Sequence, residues 1–513
     1  NTAYTLSPNN TSNTGCAFYD SDRKLLNYYQ YNLVGGSSNM VSADNAVWCR
    51  FTYMLNKIDA TQFEEGAVAT SYEEYGYLDS SQIKKNAEDI TILKANTPTG
   101  LRVVIPNTMY TCKDHCLSLY FENIMYKSLK DDGDLRFTLG NRTSRLQQLL
   151  FTEAKTQNMQ IYLDKACNRI QTKQISCVTV DPTLNKNKTI NLLCIGDSFT
   201  DIGRYCIELK NLLTADGANV TLVGTCGNGN FLAEGLSGGR VTNSFLDASQ
   251  GAARIVKVTG AKVAPSTGYP GQRYKDSNGN EWTIRSSKIN ADGTGIMAVT
   301  KLNGCVEANF NSFPASGTLT KTSSGPGDAT INYSNPIKAY FNPFIDPTSG
   351  ELDIKSYLTR WGQPTPNIIV IQFTFNDISP TITDSGLKTI VSNYIKGVEH
   401  IHTNLPDCKI VLSVEPYGAI NKDYNWNLRK ERVLTWVEML MKTFESDTYS
   451  SYVKIAPSYA CVDLINGYSS STVKPSARYD GITEIATGDG VHPSTGMLEI
   501  ADCIYPCITY LLQ

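Results

Sequence analysis

The apolar run Leu192-Leu193-Cys194-Ile195 leads directly into Gly196-Asp197-Ser198-Phe199-Thr200. Four consecutive apolar residues ahead of a polar turn read as a strand buried on both faces, the kind found inside a parallel sheet. The pattern returns at Asn367–Phe373 and Lys409–Val414, with the helical stretch Ser385–Asn404 between them. Ile190–Ile195 and Asn219–Val223 are further strands, Gly203–Thr214 is a helix, and Arg429–Glu445 is an amphipathic helix. Strands alternating with helices predict an α/β fold, a flavodoxin-like doubly wound parallel sheet. Such a sheet gathers its chemistry in a crevice beyond the carboxyl ends of its strands, which is where Ser198 falls.

At 513 residues the chain is too long for a single core. The α/β portion is expected at 189–251 and 335–513. Residues 1–80 read as an all-β module, with runs such as Val47–Tyr53 punctuated by Asn, Ser, Asp and Gly. Residues 81–100 read as a linker. Within it, Ile83, Ile90 and Leu93, with Asn86 on the same stripe, are compatible with a single helix or with two heptads of a coiled coil that would make a homotrimer. Alternation from 101 to 181 predicts a β-sandwich-like domain, closed by the polar linker Asp181–Lys188. Residues 252–334 break the α/β rhythm with Gly- and Ser-rich alternation and hairpin turns at Asn278-Gly279-Asn280 and Ala291-Asp292-Gly293. They are read as a β-module inserted into a loop, where specificity is often carried.

A charged content of 19% and a net charge of -3 give no phosphate-tracking surface, so nucleic acid is not an expected partner. No apolar run approaches the ~20 residues of a membrane span. Asn1–Thr14 are mostly polar and carry no signal-peptide pattern. The 14 cysteines are scattered. Cys112-Lys113-Asp114-His115-Cys116 is compatible with zinc, a disulfide or two core thiols; without a second ligand pair nearby the last two are favoured. Cys503 and Cys507 read as a packed helix face, and Cys194 as a buried thiol. No metal or cofactor is expected.

A serine hydroxyl is a poor nucleophile until a base takes its proton. Of four histidines, His115 lies in the β-region, and His400 and His402 lie at the wrong end of the strand Lys409–Val414. His492 remains. Asp489-Gly490-Val491-His492-Pro493-Ser494 places a carboxylate three residues before it, suited to orienting the imidazole.

Four segments in order resemble the SGNH, or GDSL-like, serine hydrolase family over about half the chain. Gly196-Asp197-Ser198-Phe199-Thr200 matches its G-D-S block, with Phe199 in place of the usual Leu. Glu234-Gly235-Leu236-Ser237-Gly238 is similar to its E-G-x-x-G block. Thr374-Phe375-Asn376-Asp377 is similar to G-x-N-D, with Thr374 in place of Gly. Asp489-x-x-His492 matches its last block. The resemblance implies Ser198 as nucleophile, His492 as base and Asp489 as its orienting acid. It also implies an oxyanion hole made by the Ser198 N–H, the Gly238 N–H and the Asn376 amide. Asp197 and Asp377 are expected to bond loop backbone, Arg204 and Arg240 to be solvated or to contact a substrate carboxylate or sugar, and Asp201 and Glu234 receive no role.

The expected activity is ester hydrolysis through an acyl-enzyme, with O-acetyl groups of a carbohydrate as the leading substrate and an extracellular, cell-surface or virion-associated setting. A second, shorter resemblance competes. Phe63–Glu73 and Pro314–Lys321 look like β-modules of phage tails and gut-bacterial surface proteins, which implies a glycan-binding or adhesion protein with secondary esterase activity. A lipase or thioesterase would use the same triad.

Overall fold

A computed structural model describes the strands between residues 3 and 65, and residues 102–513 except 127–134, 140–141, 144–145, 166–167, 228–230, 262–268, 302–312, 326, 420–425 and 474–483. The chain divides into two compact units, Asn1–Pro98 and Thr99–Gln513. The expected helix or coiled coil at 81–95 lies outside the described residues, as does most of Phe63–Glu73.

Among its described residues the first unit holds two three-stranded antiparallel sheets. In one, Ala3–Pro8 lies between Ser38–Val41 and Thr61–Glu65; in the other, Ser12–Tyr19 lies between Leu25–Leu33 and Trp48–Thr52.

In the second unit a parallel sheet carries the site. Its five main strands are β1 (Thr189–Gly196), β2 (Asn219–Val223), β3 (Ile368–Gln372), β4 (Lys409–Ser413) and β5 (Val453–Ala456), in the spatial order 2-1-3-4-5, with the short strand Glu234–Gly235 added beside the end of β1. All neighbouring pairs are parallel. Every residue of β3 is buried, so both faces of the sheet are covered, and each large apolar side chain there contributes about 1.5–3 kcal/mol. The chain leaves β1 to one side and returns as β3 on the other, which opens a crevice beyond their carboxyl ends. Helix Asp384–Asn404 between β3 and β4 starts where the Thr383 side chain accepts the Gly386 N–H at 3.2 Å.

For residues 101–181 the alternation predicts a β-sandwich-like domain of their own; the described residues among them share a core with the α/β sheet. Val103, Met109, Leu119, Phe121 and Ile175 belong to the same buried cluster as Ile195, Ile371 and Ile504. Asn123 Nδ2 donates to the carbonyls of Tyr459 and Val462 at 2.8 Å each, and the Tyr459 hydroxyl donates to Val104 O at 2.8 Å. Strand Asn168–Val180 pairs antiparallel with Thr156–Lys165 and parallel with Thr108–Cys112. Alternation in sequence shows that one face is buried, and here the covering surface is the α/β core.

The inserted segment is a closed six-stranded antiparallel barrel running from Ala252–Thr259 to Thr330–Tyr340, six residues beyond the expected end. Its interior has its own filling, with Val256, Tyr274, Trp282, Met297, Leu319 and Tyr333 among it. Strand Glu281–Ile289 meets the α/β unit, where the Ser287 N–H donates to Thr225 O at 3.0 Å.

Cys112 and Cys116 are free thiols, the first buried and the second exposed, so they form no disulfide with each other. His115 Nε2 lies 3.1 Å from Asp502 Oδ1. Among the described residues no group of three metal-binding side chains occurs, and no helix is long and apolar enough to cross a membrane.

Candidate active site

Beyond β1 the chain makes one helical turn, Ser198–Ile202, capped by Asp197, whose Oδ1 accepts the Phe199 N–H at 3.0 Å. Ser198 is 8% exposed at the floor of the crevice. Its Oγ lies 2.8 Å from His492 Nε2, and His492 Nδ1 lies 2.7 Å from Asp489 Oδ2. A carboxylate only accepts, so the imidazole carries its proton on Nδ1 and turns the Nε2 lone pair to the serine hydroxyl. The histidine loop is held locally. Asp489 Oδ1 accepts the N–H groups of Val491 at 2.8 Å and His492 at 3.2 Å, and Gly490 O accepts the Ala419 N–H at 2.8 Å. Burial disfavours charge on Asp489, but the N–H groups of Val491 and His492 and the imidazole outweigh it and hold the carboxyl below its ordinary range. Phe199 lines the imidazole, ring centres 5.5 Å apart.

Glu234–Gly235 pairs in parallel with Ile195–Gly196 and brings the following loop beside Ser198. A Cβ on Gly235 would stand 2.2 Å from Asp201 N, so only glycine lets the loop lie this close. Gly238 has φ +71, the left-handed region, and a Cβ there would meet nothing within 4 Å. Backbone conformation, not crowding within the protein, accounts for that glycine. Asn376 follows β3, and its Nδ2 donates to Asp197 Oδ2 at 2.8 Å, leaving a second amide hydrogen for another acceptor. The Ser198 N–H opens a helical turn and has no partner within it.

Thr374 stands where the G-x-N-D block has Gly. It is buried, and its Oγ1 accepts the Glu415 N–H at 3.1 Å, a bond that the usual glycine would not make. Asp377 Oδ2 accepts the Val241 N–H at 3.0 Å, and burial pushes its pKa up to about 7. Arg204 Nη1 donates to Ser494 O at 3.3 Å, while Arg240 is exposed. His400 Nε2 accepts the Ile354 N–H at 3.2 Å and His402 stacks on Tyr452 at 3.8 Å, so neither reaches Ser198.

Two groups that sequence reasoning passed over stand close to this site. Glu234 is buried; its Oε1 accepts from Thr225 N at 2.7 Å, Thr225 Oγ1 at 2.6 Å and the Tyr357 hydroxyl at 2.7 Å. Glu415, wholly buried after β4, accepts the N–H groups of Thr374 at 2.9 Å and Phe375 at 2.7 Å on Oε2. An acid directly after the apolar strand Lys409–Val414, at the same sheet edge as Ser198 and Asn376, was the available signal.

No protein-family model matches this chain, and neither does any curated protein sequence. Among solved structures it is similar to a Clostridium thermocellum family 3 carbohydrate esterase, at 14% identity over 63% of this chain and 98% of that one, with a TM-score of 0.27. A peptidoglycan O-acetylesterase is matched at 13% identity over 64% of this chain and 93% of that one, with a TM-score of 0.26. A family two carbohydrate esterase from Clostridium thermocellum, solved in complex with cellohexaose, is matched at 11% identity over 99% of this chain and 88% of that one, with a TM-score of 0.28.

Proposed function

We propose that this protein is a serine ester hydrolase that removes O-acetyl groups from a carbohydrate through an acyl-enzyme. One observation carries the reading: the hydrogen bonds in series from Ser198 through His492 to Asp489, at 2.8 and 2.7 Å. Ser198 Oγ attacks the ester carbonyl while its proton passes to His492 Nε2, and Asp489 stabilises the imidazolium. The oxyanion is held by the N–H groups of Ser198 and Gly238 and by the Asn376 amide. Collapse expels the sugar alcohol, which takes the proton from His492, and leaves acetyl-Ser198. Water, deprotonated by His492, then releases acetate. The acetylated carbohydrate is what the four motif segments and the attached β-modules favour.

The test is acetate release from acetylated xylan, together with p-nitrophenyl esters of increasing chain length, for the wild type and Ser198→Ala. The substitution is expected to lower kcat by at least about a thousandfold. Unchanged activity in Ser198→Ala refutes the mechanism. A preference for long acyl chains replaces the deacetylase with a lipase-like enzyme. Glycan binding without ester cleavage in the wild type turns the protein into an adhesion module.

A further inference from the structure

Near the Ser198–His492 pair two carboxyl groups meet, and among the described residues no lysine or arginine pairs with either. Asp197 and Glu415 are both 0% exposed and hold the same short loop, Glu415 at the N–H groups of Thr374 and Phe375 and Asp197 at the Asn376 amide, where each carboxyl bears on the other. Asp197 is already supplied with donors, Phe199 N–H on Oδ1 and Asn376 Nδ2 on Oδ2. Glu415 receives both of its backbone N–H groups on Oε2, while Oε1 is a buried oxygen to which no N–H or O–H donates. The other titratable groups bearing on the pair are His492, Asp377, Tyr394 and Tyr468. Tyr394 is committed to Phe373, donating to its carbonyl at 2.6 Å and accepting its N–H at 3.1 Å.

Two ionised carboxylates in contact, dry and without a cation, are strongly disfavoured. A proton between them resolves both the repulsion and the orphaned oxygen. We propose that Glu415 is a neutral carboxylic acid at neutral pH, that its Oε1–H donates to the Asp197 carboxylate, and that this bond aims the Asn376 amide at the oxyanion. The directions agree. Burial and the adjacent Asp197 charge hold Glu415 above the ordinary carboxylate range, and Asp197 has a donor on each of its oxygens whereas Glu415 Oε1 has none among the described residues. Glu415 therefore keeps the proton. Glu415 is a positioning residue: it reaches the reaction through Asp197, Asn376 and the turn that bears Ser198. Its ionisation would set a second negative charge against Asp197 and pull that carboxylate from Asn376, so turnover falls when the proton leaves.

The inference rests on the serine-hydrolase reading, and Glu415→Gln tests it. The amide keeps an acceptor for the two backbone N–H groups and a donor for Asp197, but does not ionise. We expect kcat for p-nitrophenyl acetate within about twofold of wild type at neutral pH, unchanged KM, and loss of a descending alkaline limb expected of the wild type above neutral pH. The infrared band of a buried protonated carboxyl, present in the wild type at about pH 8.5 where Asp377 is ionised, is expected to be missing from Glu415→Gln and retained in Asp377→Asn. An alkaline limb identical in wild type and Glu415→Gln overturns the proposal. So does the lack of such a band in wild type and Asp377→Asn, a measurement that stands even where Glu415→Gln does not fold. Failure of the hydrolase reading is seen separately, as activity indifferent to Ser198→Ala.

Discussion

Arg285 Nη2 of the inserted barrel lies 3.9 Å from Glu234 Oε2 of the loop that leads to Gly238, with both side chains buried. The guanidinium also contacts the Cys226 thiol and stands over the Phe341 ring at 5.2 Å. The barrel and the loop beside Ser198 thus share a charge pair away from water. Breaking such a pair from one side leaves the other charge stranded.

For Arg285→Met we expect a loss of about 3 kcal/mol in unfolding free energy, because the buried Glu234 charge then lacks its cation. Glu234→Gln is expected to be milder, since its amide oxygen still accepts from Thr225 and Tyr357 and Arg285 keeps Asp201 nearby as a counter-charge. Denaturant unfolding of both variants checks the order. A smaller loss for Arg285→Met than for Glu234→Gln would refute it.

Asn376→Ala removes the amide that Asp197 orients. Removal of one oxyanion donor costs about a hundredfold to a thousandfold in kcat with little change in KM. Steady-state kinetics on an acetyl ester measures this, and a loss confined to KM would reassign Asn376 to substrate binding.

What was legible in the sequence followed from local pattern. An apolar strand ending at Ser198 and a scarcity of histidines pointed at one crevice, and the resemblance of four segments to the SGNH family added Gly238 and Asn376. Glu415 was not legible as a partner of Asp197, because a lone acid after a strand looks the same whether it faces water or another carboxyl. Arg285 and Glu234 were hidden for a related reason: they sit in different modules, and no periodicity reports which surfaces dock. Residues 103–180 had the alternation of a sandwich, yet Asn123 and Tyr459 tie them to the α/β core through bonds that only the fold creates.

Asp489→Asn separates shape from charge in the triad. The amide can occupy the same place, but through its NH2 group it can favour the imidazole tautomer that turns N–H toward Ser198, and it cannot stabilise the imidazolium. We expect kcat to fall by roughly a thousandfold to ten-thousandfold at neutral pH. Unfolding should change by less than about 1 kcal/mol, the side chain being half exposed. A stability loss large enough to explain the activity loss would count against the triad role.

Asp377 predicts a pH dependence of stability. Its carboxyl ionises at about 7 in the folded chain against an ordinary value of 3.8, through burial. The folded state therefore holds a proton that the unfolded chain has released between these two values. With more protons bound to the native state, stability falls as pH rises across this interval; the contribution is intact below about pH 4 and lost once pH passes about 7. Asp377→Asn keeps an oxygen to accept the Val241 N–H at the same place without the titration. Between pH 5 and pH 8, wild-type Tm should decline relative to that of Asp377→Asn, by several degrees if the burial effect is expressed in full. Parallel Tm curves for the two proteins across that range would show that the carboxyl is hydrated in the folded state and titrates as it does in the unfolded chain.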